Sequence, residues 1–294
     1  MAESFQEQID EALRGVPRSS ETRVGEVHAP PLQEAVQRSA TIAKLVERGV
    51  PNQHDCLHMG IAGFFNFDIA AVTRPDYLLL LDINTQQHAF WREVISMLKK
   101  HETPQQFYSD LHARVGREQG YFFCDNGQKL ELRDSSDDCL FYVHNALWMK
   151  DQSAYDHIRR LANDGRIATA EIDLVKDEAR ATALASALRS GPYETDTCYW
   201  SNLATFLVPR GGARAPKNYR ELIEQRFGIN DHTVPNPSYS LDGASSFEKF
   251  LHHVSLIGGE KGMHILCGTV PNQPLTITEG PPSPLGSLAS ERSM

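Results

Sequence analysis

Two hydrophobic patterns alternate along this chain. Continuous apolar runs lie at residues 57–65, 76–84, 166–175, 195–200 and 263–270, and a polar or turn-forming residue follows each run. Such runs are typical of strands that are buried on both faces of a parallel sheet. Between them, apolar residues at helical spacing predict helices at residues 32–48, 66–75, 88–100, 104–116, 151–163, 177–191, 218–227 and 247–259. Strands that alternate with helices predict an α/β fold with a mostly parallel sheet.

A polar leader precedes this alternation and covers residues 1–31. Phe5, Ile9 and Leu13 would share one face of a short amphipathic helix over residues 4–15. The alternative is a weakly ordered leader without a defined role.

The α/β alternation itself covers residues 32–270, and a tail rich in Pro and Ser covers residues 271–294. Residues 105–165 are more than a simple βαβ alternation needs, so we expect a helical insertion there. Long connections between sheet strands often form a lid or a substrate wall. A structural helical subdomain explains the same residues equally well.

The first apolar run carries two glycines, Gly60 and Gly63, and the second run ends at an acid, Asp82. A glycine at a strand end lets the backbone approach a ligand, because it has no Cβ. In dinucleotide-binding folds, an acid roughly 20 residues after the glycine loop accepts hydrogen bonds from ribose hydroxyls. The spacing from Gly60 to Asp82 therefore predicts a site for a nucleoside.

The loop differs from the G-x-G-x-x-G pattern of dinucleotide-binding proteins. Phe64, Phe65 and Phe67 leave less room for a pyrophosphate. Asn66 and Asp68 lie near the start of the predicted helix, where both could act as caps. An acid there disfavours a phosphate, so a nucleoside ligand without phosphates fits better, and S-adenosylmethionine is the commonest of these.

The composition and charge of the chain limit the partners and the cell compartment that we expect. The chain has 294 residues and a net charge of −9, with no basic cluster, so we expect no nucleic-acid partner. No run approaches 18 apolar residues, so no membrane span is expected. The N-terminus lacks the apolar region of a secretory signal. The five cysteines are scattered and form no C-x-x-C pair, which favours buried thiols in a reducing compartment, and we expect a cytoplasmic protein.

Four stretches occur in an order that resembles the class I S-adenosylmethionine-dependent methyltransferases: GIAGFFNFDIAA, LLLLDIN, EIDLVKD and CYWSNLATFL. Within that superfamily, residues 55–270 look most like a poorly characterised bacterial group with a Gly…Asn-Phe loop and a Tyr-x-Ser-Asn strand end. The resemblance implies a Rossmann-like, doubly wound fold, with a mostly parallel sheet, helices on both faces and a helical insertion. It also implies S-adenosylmethionine as the cofactor.

The resemblance assigns the first part of a cofactor site. Gly60 and Gly63 would pass the methionine moiety, with Asn66 at the following helix start. Asp82 would accept hydrogen bonds from the ribose, and Asn84 would lie beside it. A capping role is the alternative for Asn66, and an acid that caps a neighbouring helix is the alternative for Asp82.

The later strands would complete the site. Asp173 would lie near the adenine, although it could also be a solvated strand end. Tyr199, Ser201 and Asn202 would face the methyl group or the substrate. Core packing is the alternative for Tyr199, and a helix N-cap is the alternative for Ser201 and Asn202.

These features predict an S-adenosylmethionine-dependent methyltransferase that acts on a small molecule. A general base could come from an Asp, His or Tyr of residues 105–165. No metal is expected, because His54, Asp55 and His58 lack a regular ligand spacing. Two alternatives remain open: a transferase of another group of S-adenosylmethionine, such as the aminocarboxypropyl group, and a catalytically silent binding or regulatory protein. A dinucleotide oxidoreductase is disfavoured by the incomplete glycine pattern.

Overall fold

The computed structural model describes residues 3–18, 24–29, 35–51, 54–61, 63–116, 120–133, 136–200, 243–259, 262–266 and 276–279. The helices are α1 (Phe5–Leu13), α2 (Ala35–Arg48), α3 (Phe65–Thr73), α4 (Thr85–Lys100), α5 (Pro104–Arg114), α6 (Ser136–Asn145), α7 (Leu147–Lys150), α8 (Gln152–Asn163), α9 (Glu178–Ser190) and α10 (Gly243–Gly258). The strands are β1 (Cys56–Ile61), β2 (Tyr77–Asp82), β3 (Val115–Gly116), β4 (Tyr121–Phe123), β5 (Lys129–Glu131), β6 (Ile167–Glu171), β7 (Glu194–Tyr199), β8 (Met263–Leu266) and β9 (Thr276–Glu279).

A six-stranded sheet organises the fold, in the order β6-β2-β1-β7-β8-β9. The first five strands in this order are parallel, and β9 pairs antiparallel to β8. The predicted α/β class with a mostly parallel sheet is therefore confirmed. Because the strands are parallel, their last residues meet at one side of the sheet, which we call the carboxyl edge: Ile61, Asp82, Glu171, Tyr199 and Leu266.

Helices cover both faces of this sheet. Leu78 and Leu80 of β2 pack into one core, which also contains residues of α3, α4 and α8. Leu79 and Leu81 pack into the opposite core, with residues of α1, α9 and α10. A strand that is buried on both faces needs apolar residues at every position, which explains the continuous leucine run.

The leader is part of the second core. Phe5, Ile9 and Leu13 are buried there, as their helical spacing predicts. Ser4 and Glu7 form a capping box that fixes the start of α1. The leader is therefore anchored by apolar burial, at least over its first helix.

The insertion is not purely helical, which corrects one expectation. Between α5 and α6, the strands β3, β4 and β5 form a small antiparallel sheet. These strands have only two or three residues each, too few to show a two-residue periodicity. Asn126-Gly127 turns the chain between β4 and β5, with Gly127 at φ 82°, and this dipeptide is a known hairpin signal.

One strand boundary and one additional strand also differ from expectation. β6 ends at Glu171, so Asp173 lies in the turn that follows rather than on the strand. The first part of the predicted tail contains β9, which adds an antiparallel strand to the sheet. The helix predicted at residues 218–227 lies outside the described residues. Within the described residues, no helix has the length and apolar character that a membrane span requires.

Candidate functional site

Gly60 lies on β1 directly beside Tyr199 of β7. A Cβ at this glycine would lie 1.9 Å from Oδ1 of Asn66 and 3.1 Å from the backbone oxygen of Tyr199. Asn66 is fully buried, and its Nδ2 donates to the backbone oxygens of Ile61 (3.3 Å) and Gly63 (3.0 Å). The absence of a side chain at Gly60 thus makes room for an amide of the protein itself.

A buried histidine completes this arrangement. Nε2 of His58 lies 3.2 Å from Oδ1 of Asn66, and its Nδ1 lies 2.8 Å from Oγ1 of Thr197. Burial lowers the pKa of His58 to about 4, so the ring is neutral at pH 7. Since Oδ1 of Asn66 can only accept, Nε2 carries the proton and Nδ1 accepts from the Thr197 hydroxyl. The chain of three side chains locks α3 against β1 and β7.

The backbone after Gly60 is engaged by the leader. The N–H groups of Gly63 and Phe64 donate to the backbone oxygens of His28 (3.1 Å) and Ala29 (2.9 Å). Phe64, like Phe65 and Phe67, is buried in the core. The three phenylalanines therefore pack inward, and the N–H groups of Gly63 and Phe64, just before α3, already have acceptors.

The end of β2 carries the predicted ribose acid. Asp82 is partly exposed, and its Oδ1 accepts from the backbone N–H of Asn84 at 2.9 Å. Asn84 is the N-cap of α4, with its Oδ1 accepting from the N–H of Gln86. The register partner of Asp82 on β6 is Glu171, which forms a bidentate ion pair with Arg18 at 2.6 and 2.8 Å. Two carboxylates thus lie side by side at the carboxyl edge.

Residues 24–29 of the leader, which we call the strap, cross this edge. Asn84 accepts from the N–H of Gly25 (3.1 Å) and donates to the oxygens of Gly25 (3.0 Å) and Glu26 (2.9 Å). Gln87 accepts from the N–H of His28 at 2.8 Å and donates to its oxygen at 3.3 Å. The side-chain amides of the α4 N-cap and of Gln87 in its first turn therefore bind the backbone of the strap.

Asp173 and Tyr199 are both bound within the protein. Oδ1 of Asp173 accepts from the N–H groups of Val175 (2.9 Å) and Lys176 (3.2 Å), which closes the turn after β6. Tyr199 is buried and its ring meets the ring of Phe65 edge-on, with centroids 5.3 Å apart. Ser201 and Asn202 lie outside the described residues. The structure thus brings together Gly60, Asn66 and Tyr199, while Asp173 lies in its own turn.

The family model described as "Domain of unknown function (DUF7790)" matches residues 40–124 and 141–234. The chain belongs to this family. The matched part of the DUF7790 domain includes β1, α3 and β2, and with them Gly60, Asn66 and Asp82. None of the curated proteins that were compared matches the chain.

A buried acid and phenol in the DUF7790 domain were not predicted as a pair. The Tyr142 hydroxyl donates to Oδ2 of Asp68 at 2.5 Å, and Oδ1 of Asp68 accepts from the N–H groups of Leu147 (2.6 Å) and Trp148 (3.4 Å). The guanidinium of Arg38 lies 5.1 Å above the Tyr142 ring. Asp68 therefore caps α7, whose own N-cap residue supplies no side-chain hydrogen bond, rather than α3.

Burial sets the protonation of this pair. Desolvation raises the pKa of Asp68 to about 6, although hydrogen bonds from Tyr142 and from backbone N–H groups lower it. Burial and the neighbouring carboxylate raise the pKa of Tyr142 well above its usual value. The two residues are 74 positions apart, so no local sequence signal links them. Because both oxygens of Asp68 are engaged, the pair fastens the insertion to α3.

Metal ligation finds no support in the described part of the chain, where no group of three or more His, Cys, Asp or Glu is arranged to hold an ion. Cys56, Cys124, Cys139 and Cys198 are buried thiols.

Proposed function

We propose that the chain is a Rossmann-like protein of the methyltransferase type, which binds S-adenosylmethionine at the carboxyl edge and transfers its methyl group to a small molecule. The strand order supports this proposal. Counted along the chain, the parallel strands β1, β2, β6, β7 and β8 are first to fifth, and their spatial order is 3-2-1-4-5. In doubly wound sheets, ligands bind at the carboxyl ends of the strands, where the strand order reverses. Here that point lies between β1 and β7.

The ribose half of the ligand has a suitable partner in Asp82. This residue ends the second parallel strand and is partly exposed at the carboxyl edge. A carboxylate has about four acceptor positions, so it can accept from a ribose hydroxyl as well as from the Asn84 N–H. Asp82 and its neighbour Glu171 would repel a phosphate, so a nucleoside without phosphates suits this edge better.

The reaction would need few chemical groups from the protein. S-adenosylmethionine supplies an activated methyl group on its sulfonium when it is bound. The protein has to align the acceptor in line with that methyl group and, for an acidic acceptor group, to take up a proton. The carboxyl end of β7, at Tyr199, would lie on the acceptor side.

The methionine half fits less well, and this favours a second candidate function. The space beside Gly60 is filled by Asn66, and the N–H groups of Gly63 and Phe64 donate to the strap. A catalytically silent binding or regulatory protein would need no open methionine site. A transferase of the aminocarboxypropyl group would need the same cofactor and is separated by the mass of its product.

Calorimetric titration of the full chain with S-adenosylmethionine and S-adenosylhomocysteine, with NAD as a control, tests the proposal. We expect micromolar binding of the first two ligands and none of NAD. Asp82→Asn keeps the shape of the acid and should weaken binding at least tenfold. Asp164→Asn, at an exposed acid that follows α8, should leave binding unchanged.

Mass spectrometry of a small-molecule mixture incubated with the protein and the cofactor then identifies the transferred group. A methyl adduct supports the methyltransferase. An aminocarboxypropyl adduct assigns the other transferase. If the chain binds neither cofactor form, both as wild type and with the strap released, or if Asp82→Asn binds as well as wild type, the proposal is wrong and the silent binding protein is favoured.

A further inference from the structure

The strap is held mainly through its backbone. Besides its bonds to Asn84 and Gln87, its Val27 N–H donates to the oxygen of Glu131 at 2.6 Å, and its Val27 oxygen accepts from the N–H of Arg133 at 3.1 Å. The strap thus adds an extended segment beside β5, as a bound peptide would. In such binding, main-chain hydrogen bonds supply affinity and pockets for alternate side chains supply register.

Those pockets are present in the first core. Val27 and Ala29 are both fully buried there, together with Phe64. Val24, at the start of the strap, is 66% exposed. The strap therefore buries alternate apolar side chains and leaves its first residue in solvent.

The strap and the proposed ligand would use the same groups. Gly63 and Phe64 present the N–H groups that a ligand carboxylate would need at the start of α3, and both already donate to the strap. The side chain of Asn84, which would lie beside the ribose, binds Gly25 and Glu26 instead. A ligand that takes these donors has to displace the strap, because each N–H serves one strong acceptor at a time.

We infer that the strap is an intramolecular competitor for the nucleoside site, so that ligand binds with full affinity only when residues 24–29 have left the carboxyl edge. This inference rests on the proposed function. When a binding-competent form is only fractionally populated, the apparent dissociation constant is the intrinsic one divided by that fraction. A strap that is closed 99% of the time would weaken binding about 100-fold by this relation. Releasing the strap should therefore strengthen binding.

Val27→Asp is the variant that releases the strap, since it places a charge in a fully buried apolar pocket. Val24→Asp is the matched control, because it makes the same exchange three residues earlier at an exposed position. Each variant and the wild type are titrated with S-adenosylmethionine. Hydrogen exchange of the Gly63 and Phe64 amides is measured in parallel and reports directly on strap release.

We expect Val27→Asp to bind S-adenosylmethionine at least tenfold more tightly than wild type, with faster exchange at Gly63 and Phe64. Val24→Asp should match wild type in both measurements. If Val27→Asp does not fold, Gln87→Ala replaces it, because this change removes the amide that holds His28.

Equal or weaker binding by the released variant would overturn the inference while leaving the proposed function standing, since the strap would then be a spectator or a wall of the site. If neither wild type nor the released variant binds the cofactor, the proposed function fails, and the competition fails with it. The two failures are thus distinguishable from one set of titrations.

Discussion

The amide oxygen of Asn66 lies where a side chain on Gly60 would have to be, 1.9 Å from the position of an added Cβ. A glycine at the end of a first strand is commonly taken to make room for a ligand. Here the glycine makes room for Asn66 and for the close approach of β7. The same residue type at the same place in a fold can thus serve packing.

We predict that Gly60→Ala lowers the free energy of unfolding by about 3 kcal/mol or more, because the methyl group must push Asn66 off its buried partners. Asn66→Ala alone should cost about 1–3 kcal/mol, because it leaves the His58 N–H without its acceptor. The double variant should lose less free energy of unfolding than the sum of the two single losses, by about 1 kcal/mol or more. Urea unfolding measures all three. Additive effects would show that Asn66 is not what requires the glycine.

Acid should destabilise the protein through its buried histidines. Burial lowers the pKa of His58, His157 and His264 to about 4, against an ordinary value of 6.5. Their stabilising contribution is present above pH 6.5 and is lost as the pH falls towards 4, because the unfolded chain binds the protons. Asp68 acts in the opposite sense: its folded pKa of about 6 exceeds the ordinary 3.8, so its contribution is lost as the pH rises from about 4 to 6.

Asp68→Asn should therefore steepen the loss of stability between pH 6 and 4, by on the order of 2 kcal/mol across the window. Unfolding curves at several pH values measure this slope. The charged neighbour Arg38 and the phenol Tyr142 are unchanged in the variant. Asp164→Asn, at an exposed position, serves as the control. An unchanged slope in Asp68→Asn would mean that the acid is ionised throughout.

Arg114 is held by three carboxylates, at 2.7 Å from Glu93, 2.9 Å from Asp110 and 2.6 Å from Asp125. Its side chain is 9% exposed, so Arg114→Met should cost about 3 kcal/mol by leaving acids without their partner. Lys100 also reaches Asp110, at 3.1 Å, but its side chain is 62% exposed. Lys100→Met should cost under about 1 kcal/mol. Thermal unfolding of the two variants compares their losses of stability. Equal losses would contradict the larger contribution assigned to Arg114.

The first helix should be indispensable to folding. Ile9 is 1% exposed in the second core, so Ile9→Ala should lower the free energy of unfolding by about 2–5 kcal/mol. Glu11→Ala, on the solvent side of the same helix, should change it by less than about 0.5 kcal/mol. Denaturant unfolding of both variants measures these changes in the free energy of unfolding. A negligible loss in Ile9→Ala would show that the leader is dispensable for stability.

The main sheet could be predicted because its signals are local. The run Leu78–Leu81 alternates between two cores, so every position is apolar. β4 and β5 were missed because three residues cannot show a period, although Asn126-Gly127 carried a usable hairpin signal. β9 was missed because it is a short edge strand in a segment of tail-like composition.

The candidate site was predicted by residue type and spacing, and its contacts were not. The spacing from Gly60 to Asp82 located two neighbouring strand ends correctly. It gave no sign that Asn66 turns back into the gap beside Gly60. The pairing of Asp68 with Tyr142 joins residues 74 positions apart, which a single sequence cannot reveal.

By itself, the sequence determined the order of the parallel strands, the main helices between them and the inward face of α1. These depend on side chains within one helical turn or one strand, whose period is written in neighbouring residues. Only the tertiary structure decided which groups form hydrogen bonds at the carboxyl edge. Asn84 binds Gly25 across 59 residues, and it binds backbone groups, which nearly every residue type carries. A buried N–H donates to whichever oxygen the folded chain brings within reach, and the position of that oxygen depends on the whole fold.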